Sequence, residues 1–337
     1  MKYFNNLDDS NIVKQAVIKA ALRGNIEDLN RHTEGKFRYW LAKKLGRRTS
    51  YKYNYPIGYM YWGISEYLIY DENQELIKKT NALLNKCFNH DGKLKYKISI
   101  VDQVPMGCCY INMYCIGKQG RYLEAANEIA EYLKKRFYSD GLLYREFSSV
   151  QLVDTLGLVV PFLVKYSELT NDDDYISIAN HLVKTFESKA ITSNSLVVHG
   201  YDTKTNLLLG SANWGRGFGW YLLAKTFLKS KIKCSIGGMN YSHQFICQEE
   251  SLFDSSSKLL IDYYRLVMEG DFNVDINEYN SMVRKNGLVD YCTGDTNGLN
   301  YYASSYGLGG LSNGLYLLFY TKWCTNLKFK RHEGNWI

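Results

Sequence analysis

Three stretches of the chain are apolar on every side. Each is followed, after a short polar turn, by a stretch that is apolar on one side only. IGYMYWGISEYLIY leads through Asp71 to Asn73 into QELIKKTNALLNKCF, and VPMGCCYINMYCI leads through Gly117 to Gly120 into RYLEAANEIAEYLKKRF. VDTLGLVVPFLVKYSEL leads through Asn171 to Asp174 into YISIANHLVKTFES. A helix that is apolar all round belongs in an interior, whereas one with a charged face lies at a surface. The pattern predicts helical hairpins whose first helices are inner and whose second helices are outer.

The turns begin at positions 71, 117 and 171, and a repeat of roughly 50 residues marks an array of such hairpins. A chain of 337 residues holds about six of them, and twelve helices with alternating inner and outer faces close into an (α/α)6 barrel. An open α-solenoid is the rival. Its binding face is usually polar and exposed, so inner helices rich in Tyr, Trp and Cys fit a closed toroid better. The 30 tyrosines suit that interior, because Tyr lines a polar pocket with an apolar body and a hydroxyl tip. With three prolines and no Gly/Ser-rich linker, one domain spanning residues 1–337 is the simplest organisation.

The stretch from Ser148 to Tyr166, SSVQLVDTLGLVVPFLVKY, reads as one helix with a single carboxylate, Asp154, set among apolar residues. Burying a carboxylate costs several kcal/mol unless it is paired, hydrogen-bonded or protonated. Asp154 is therefore either a structural hydrogen-bonding group or a chemical one. In a toroid of this kind the N-terminal ends of the inner helices face one mouth, and three further polar stretches fall there. They are YKYNYPIGYMYWG (Tyr51 to Gly63), SIVDQVPMG with Asp102 just ahead of Pro105, and the linked pieces VVHGYD and ANWGRGFGWY. Each residue has an ordinary reading: Asp102 as a helix cap, His199 as a loop histidine, Arg216 as a salt-bridge partner, Trp214 and Trp220 as core. In concert they make an aromatic and cationic surface suited to gripping a carboxylate and stacking a sugar ring.

Charge narrows the function classes. The 41 basic and 34 acidic residues give a net charge of +7 dispersed along the chain, which favours solubility and is no nucleic-acid footprint. Eight cysteines include no C-x-x-C pair and read as reduced core residues. No apolar leader and no run of 18 apolar residues occurs, so a cytoplasmic protein with no membrane partner is expected. No H-E-x-x-H or clustered Cys/His pattern exists, so neither a metal nor another cofactor is expected. The sequence leaves the oligomeric state open.

Four blocks in order, VDQVPMG, QLVDTLGLVVPFL, VVHGYD and NWGRGFGWYLLA, resemble those of the unsaturated uronyl hydrolases of glycoside hydrolase families 88 and 105. The resemblance covers roughly residues 50 to 230 and thins afterwards to GDTNG and SSYGLGGLSNGLYLL; the first block carries tyrosines where members often place Trp and His. It implies an (α/α)6 barrel that removes a 4,5-unsaturated uronic acid from the non-reducing end of a lyase-generated, anionic oligosaccharide. It further implies Asp154 as general acid and then base, and Asp102 as the second carboxylate. His199 would be a substrate contact, with Trp214, Arg216, Trp220 and Tyr55 shaping the pocket. Such an enzyme protonates C4 of an enol ether and adds water at C5, unlike hydrolases in which two carboxylates flank the anomeric centre. Two rivals differ in class. An epimerase-like (α/α)6 enzyme would need paired active-site histidines, and only His199 falls in a candidate motif; a non-catalytic helical-repeat binding protein would tolerate replacement of Asp154 and Asp102.

Overall fold

A computed structural model describes residues 2–23, 44, 53–144, 148–233, 242–246, 248–270, 276–296, 298–304 and 306–333. Tyr51, Cys234 and Cys247 lie outside the described residues. In chain order the helices are α1 (Ser10–Leu22), α2 (Tyr55–Asp71), α3 (Gln74–Leu84), α4 (Pro105–Gly117), α5 (Gly120–Asp140), α6 (Asp154–Thr170), α7 (Asp173–Ala190), α8 (Gly215–Phe227), α9 (Ser255–Tyr264) and α10 (Gly310–Glu333).

The three sequence-predicted hairpins form as expected. α2, α4 and α6 are buried nearly all round, whereas α5 buries only the stripe Tyr122, Ala125, Ala126, Ile129, Ala130 and Leu133, and α7 a similar one from Tyr175 to Ala190. Each inner helix ends on a residue with left-handed backbone, Glu72, Lys118 or Asn171, with φ between 51° and 54°. That conformation reverses the chain within two or three residues, so the outer helix returns along the inner one. α2, α4, α6, α8, α9 and α10 pack each on the next, and α10 packs back on α2, closing an inner ring of six. The closure depends on small residues: a Cβ on Gly63 would lie 2.4 Å from the Gly314 carbonyl oxygen, and one on Gly314 would lie 2.2 Å from that of Tyr59. Only glycine lets the two backbones meet there. The fold is an (α/α)6 barrel.

The expectation of a continuous helix over Ser148 to Tyr166 is corrected. Residues Val150–Leu152 form strand β1, which pairs antiparallel with β2 (Gly200–Asp202), and β2 pairs with β3 (Leu208–Leu209). The backbone groups of 150–152 bond across this sheet, and the Val153 N–H donates to the His199 carbonyl at 2.8 Å. The Ser149 hydroxyl also donates to Asp202 and pins the strand entrance. Helix α6 therefore starts at Asp154, which is its first residue rather than an interior one.

Pro161 lies inside α6 and has no N–H for the carbonyl four residues earlier, that of Gly157. The Tyr59 hydroxyl on α2 donates to that carbonyl at 2.7 Å. A Cβ on Gly157 would lie 2.4 Å from the Trp220 ring, so α6 and α8 approach closely at the same level. Of the cysteines, Cys87, Cys108, Cys109 and Cys292 are buried as expected, but Cys115 is exposed near the end of α4. Among the described residues, no helix is long and apolar enough to cross a membrane.

Candidate active site

Strand pairing at the start of α6 determines what Asp154 faces. Because Leu152 is in register with Gly200 and Val153 bonds to His199, the next side chain on one strand meets the preceding side chain on the other. Asp154 Oδ2 and His199 Nε2 lie 3.2 Å apart, with 17% and 1% of their side chains exposed. The pair has the separation of a hydrogen bond without its alignment, and among the described residues neither atom has another hydrogen-bond partner. Both atoms keep capacity for a third group.

The far nitrogen of the imidazole is held from behind. The Tyr302 hydroxyl lies 3.0 Å from His199 Nδ1, and the Ser211 N–H donates to that hydroxyl at 2.8 Å. With Ser211 already donating to the phenol oxygen, the phenol proton is directed to Nδ1. A neutral ring then carries its own proton on Nε2, facing Asp154. Burial pushes the Tyr302 phenol up to about 12, so it keeps the proton it donates. Trp214 packs on the imidazole at 4.5 Å and on Tyr302 at 5.6 Å, fixing the ring plane.

Asp102 sits on a 3-10 turn, Val101–Gln103, immediately ahead of α4 and packed against the α6 region. It shares Tyr144 with Asp154. Burial, then the Asp102 and Asp154 carboxylates, raise the Tyr144 phenol well above its ordinary value. Tyr55, in the first turn of α2, donates to Asp295. Burial and that carboxylate hold the Tyr55 phenol well above its usual range.

Arg216 and Trp220 play supporting parts. The Arg216 guanidinium donates to Ser256 Oγ at 2.9 Å and to the carbonyl and hydroxyl of Thr293, and lies 3.8 Å from Asp254. Burial is the largest single effect and opposes its charge, but Asp254, Tyr55, Cys292 and Asp295 together keep it above the ordinary arginine value. Arg216 thus holds the segment from Thr293 onwards against α8 and α9, and neither it nor Trp220 lines the cavity described next. Trp220 is buried against Tyr59 at 5.2 Å and meets Tyr55 edge-on at 6.2 Å.

A cavity of about 250 Å³ opens onto Asp154 and His199, lined also by Tyr144, Ser148, Val150, Leu152, Thr296, Gly298 and Leu299. The lining combines the hydroxyls of Tyr144, Ser148 and Thr296 with the aliphatic Val150, Leu152 and Leu299, a mixture that suits the polar edges and apolar faces of a sugar ring. Tyr144, Tyr302, Asp295 and Thr296 escaped the sequence-based selection. Asp295 and Thr296 had a signal in GDTNG, whereas one tyrosine among 30 had none. Among the described residues, no three His, Cys, Asp or Glu side chains converge as a metal site requires.

The comparisons with known proteins cover the same features. The family model of Glycosyl Hydrolase Family 88 matches residues 25–229, a span containing Asp102, Asp154, His199 and the Trp214 to Trp220 turn. The chain belongs to that family. A member of Glycosyl Hydrolase Family 88 is a glycoside hydrolase by family, and the solved structures agree on the fold. A family 105 glycoside hydrolase from C. acetobutylicum ATCC 824 is 14% identical, with TM-score 0.67 over 86% of this chain and 99% of that one. An unsaturated glucuronyl hydrolase specific for heparin is 15% identical, with TM-score 0.64 over 95% and 99%. An alpha-1,6-mannanase from Salegentibacter sp. is 11% identical, with TM-score 0.60 over 94% and 100%. The barrel thus occurs in enzymes with different substrates, and fold alone does not choose among them. No curated protein sequence matches the chain.

Proposed function

We propose that this family 88 protein releases a 4,5-unsaturated uronic acid from the non-reducing end of an anionic oligosaccharide by hydrating its enol ether. The observation that carries the reading is the Asp154 and His199 pair, 3.2 Å apart at the head of a cavity large enough for one sugar ring. Protonated Asp154 gives its proton to C4 while positive charge develops at C5 and the ring oxygen. Water adds at C5 as the Asp154 carboxylate takes one of its protons, so the residue ends as it began. The C5 hemiketal then opens by breaking its bond to the ring oxygen, which becomes a hydroxyl on C1, and that C1 hemiacetal expels the second sugar.

His199 Nε2 is placed to donate to a substrate hydroxyl beside Asp154, and Tyr302 and Trp214 keep the ring in place. Tyr144 lines the cavity and feels both the Asp154 and Asp102 carboxylates, so Asp102, itself outside the lining, acts on the ring hydroxyls and on Asp154 through Tyr144. Tyr55, Arg216 and Trp220 act through the walls: Tyr55 and Arg216 hold the Thr293 to Thr296 segment, and Trp220 backs α6. The whole chain, 1–337, works as one barrel domain without a metal or other cofactor. Incubation with a panel of lyase-generated unsaturated oligosaccharides tests the reading. Loss of absorbance near the enol-ether band with at least one of them supports it, and inertness toward all of them contradicts it.

A further inference from the structure

We propose that Tyr301 forms a second sugar-binding position just outside the cavity, where its ring stacks on the sugar being released. This rests on the hydration reading above and adds the position of the leaving group. A cavity of about 250 Å³ falls below the roughly 300 to 1,000 Å³ of sites that enclose a drug-sized ligand. It takes one ring, yet the substrate of a glycoside hydrolase has at least two. The second ring must therefore rest on the rim.

On the rim, the turn Gly298 to Tyr301 carries an aromatic ring into solvent. Gly298 and Leu299 line the cavity, while Tyr301 is 73% exposed. The Tyr301 N–H donates to the Gly298 carbonyl at 3.1 Å, closing the turn. A Cβ on Gly298 would lie 3.4 Å from ring atom Cδ2 of Tyr301, so the ring leans on the cavity's own wall. Leu299 in turn is held by the β3 side, since a Cβ on Gly210 would lie 2.7 Å from its carbonyl oxygen and 2.7 Å from the His199 Cβ. The platform is thereby tied to the same backbone that carries His199. An isolated exposed tyrosine is ordinary on a protein surface. This one lies against Gly298, a residue that lines the cavity, and an aromatic face suits the apolar face of a sugar.

The test compares two substrates that share the unsaturated uronic acid: a disaccharide, and the methyl glycoside that lacks a second ring. The readout is the ratio of their kcat/KM values. Tyr301→Ala lowers that ratio about five- to tenfold, mainly through KM of the disaccharide, whereas Tyr301→Phe and Tyr301→Trp preserve it. Tyr138→Ala removes an equally exposed ring from the outer helix α5 and leaves the ratio unchanged. An unchanged ratio in Tyr301→Ala, in an enzyme that turns over both substrates, overturns the second position alone. A wild-type enzyme that turns over neither overturns the hydration reading and the second position with it.

Discussion

His199 Nε2 faces Asp154 Oδ2 at 3.2 Å because the two residues flank paired strands: Asp154 follows β1, and His199 precedes β2. Neither residue's own helix or loop would fix that distance. The register Leu152 to Gly200 does so, since a slip of one residue would turn both side chains to the other face. The same pairing ends the extended segment and starts α6, so one structural feature both delivers the carboxylate and supplies its partner.

Asp154→Asn leaves a helix start of the same shape without a proton to give. Turnover is expected to fall by about 10² to 10⁴, while the melting temperature stays within a few degrees of wild type. Steady-state kinetics beside thermal unfolding check both halves.

Tyr302→Phe removes the hydroxyl behind His199 Nδ1 and keeps the ring that packs on Trp214. The imidazole loses its tautomer control and the Ser211 N–H loses its acceptor. A fall of about tenfold in kcat, with KM nearly unchanged and the pH profile displaced, is the expected outcome. A purely structural tyrosine would alter stability without moving the pH profile.

Tyr59→Phe deletes the donor to the carbonyl that Pro161 leaves unpaired in α6. A buried acceptor without its partner costs about 1–3 kcal/mol. Urea unfolding of the two proteins measures it, and equal midpoints would refute this role for Tyr59.

Asp254 ties Arg216 to the α9 start, accepting from Ser256 and Ser257 at 2.7 Å and from the Thr293 hydroxyl at 2.9 Å. Burial opposes its ionisation, but Arg216 and these donors hold its carboxyl below the ordinary aspartate value. A carboxyl depressed in the folded state contributes stability that is full above the unfolded value, about 3.9, and is lost as pH falls through the folded one. Acid unfolding is therefore expected to loosen the Thr293 to Thr296 segment. Asp254→Asn leaves the Arg216 charge buried without its counter-ion, at a cost of about 3 kcal/mol near neutral pH. Chemical denaturation at pH 7 and pH 3 follows the effect, and the difference between wild type and variant shrinks in acid.

The repeat and the inner and outer alternation were legible in the sequence because burial on all sides and burial on one stripe write different patterns. The turns after Ile116 and Leu169 were legible for the same reason. The strand at Val150–Leu152 was not, because three apolar residues next to a longer apolar run carry no period of their own. Asp102, Asp154, His199 and Trp214 were reachable through local motifs. Tyr302 was not, because its relevance comes from a contact with a residue about 100 positions earlier, and Asp295 showed only as part of GDTNG, its role resting on Tyr55 some 240 positions earlier. Arg216 was noticed as a cation in a glycine-rich turn, and only its partners Asp254 and Thr293 reveal that it faces protein rather than the cavity.

The central claim, that water adds across the double bond of the substrate under the control of Asp154, is tested most directly by following that bond in heavy-oxygen water. The account predicts that the ultraviolet absorbance of the enol ether disappears in step with release of the second sugar. It also predicts that oxygen label read at early times lies on C5 of the freed uronate, before the carbonyl exchanges. Label confined to C1, with the absorbance persisting through release, would contradict the account and show cleavage at the anomeric carbon instead.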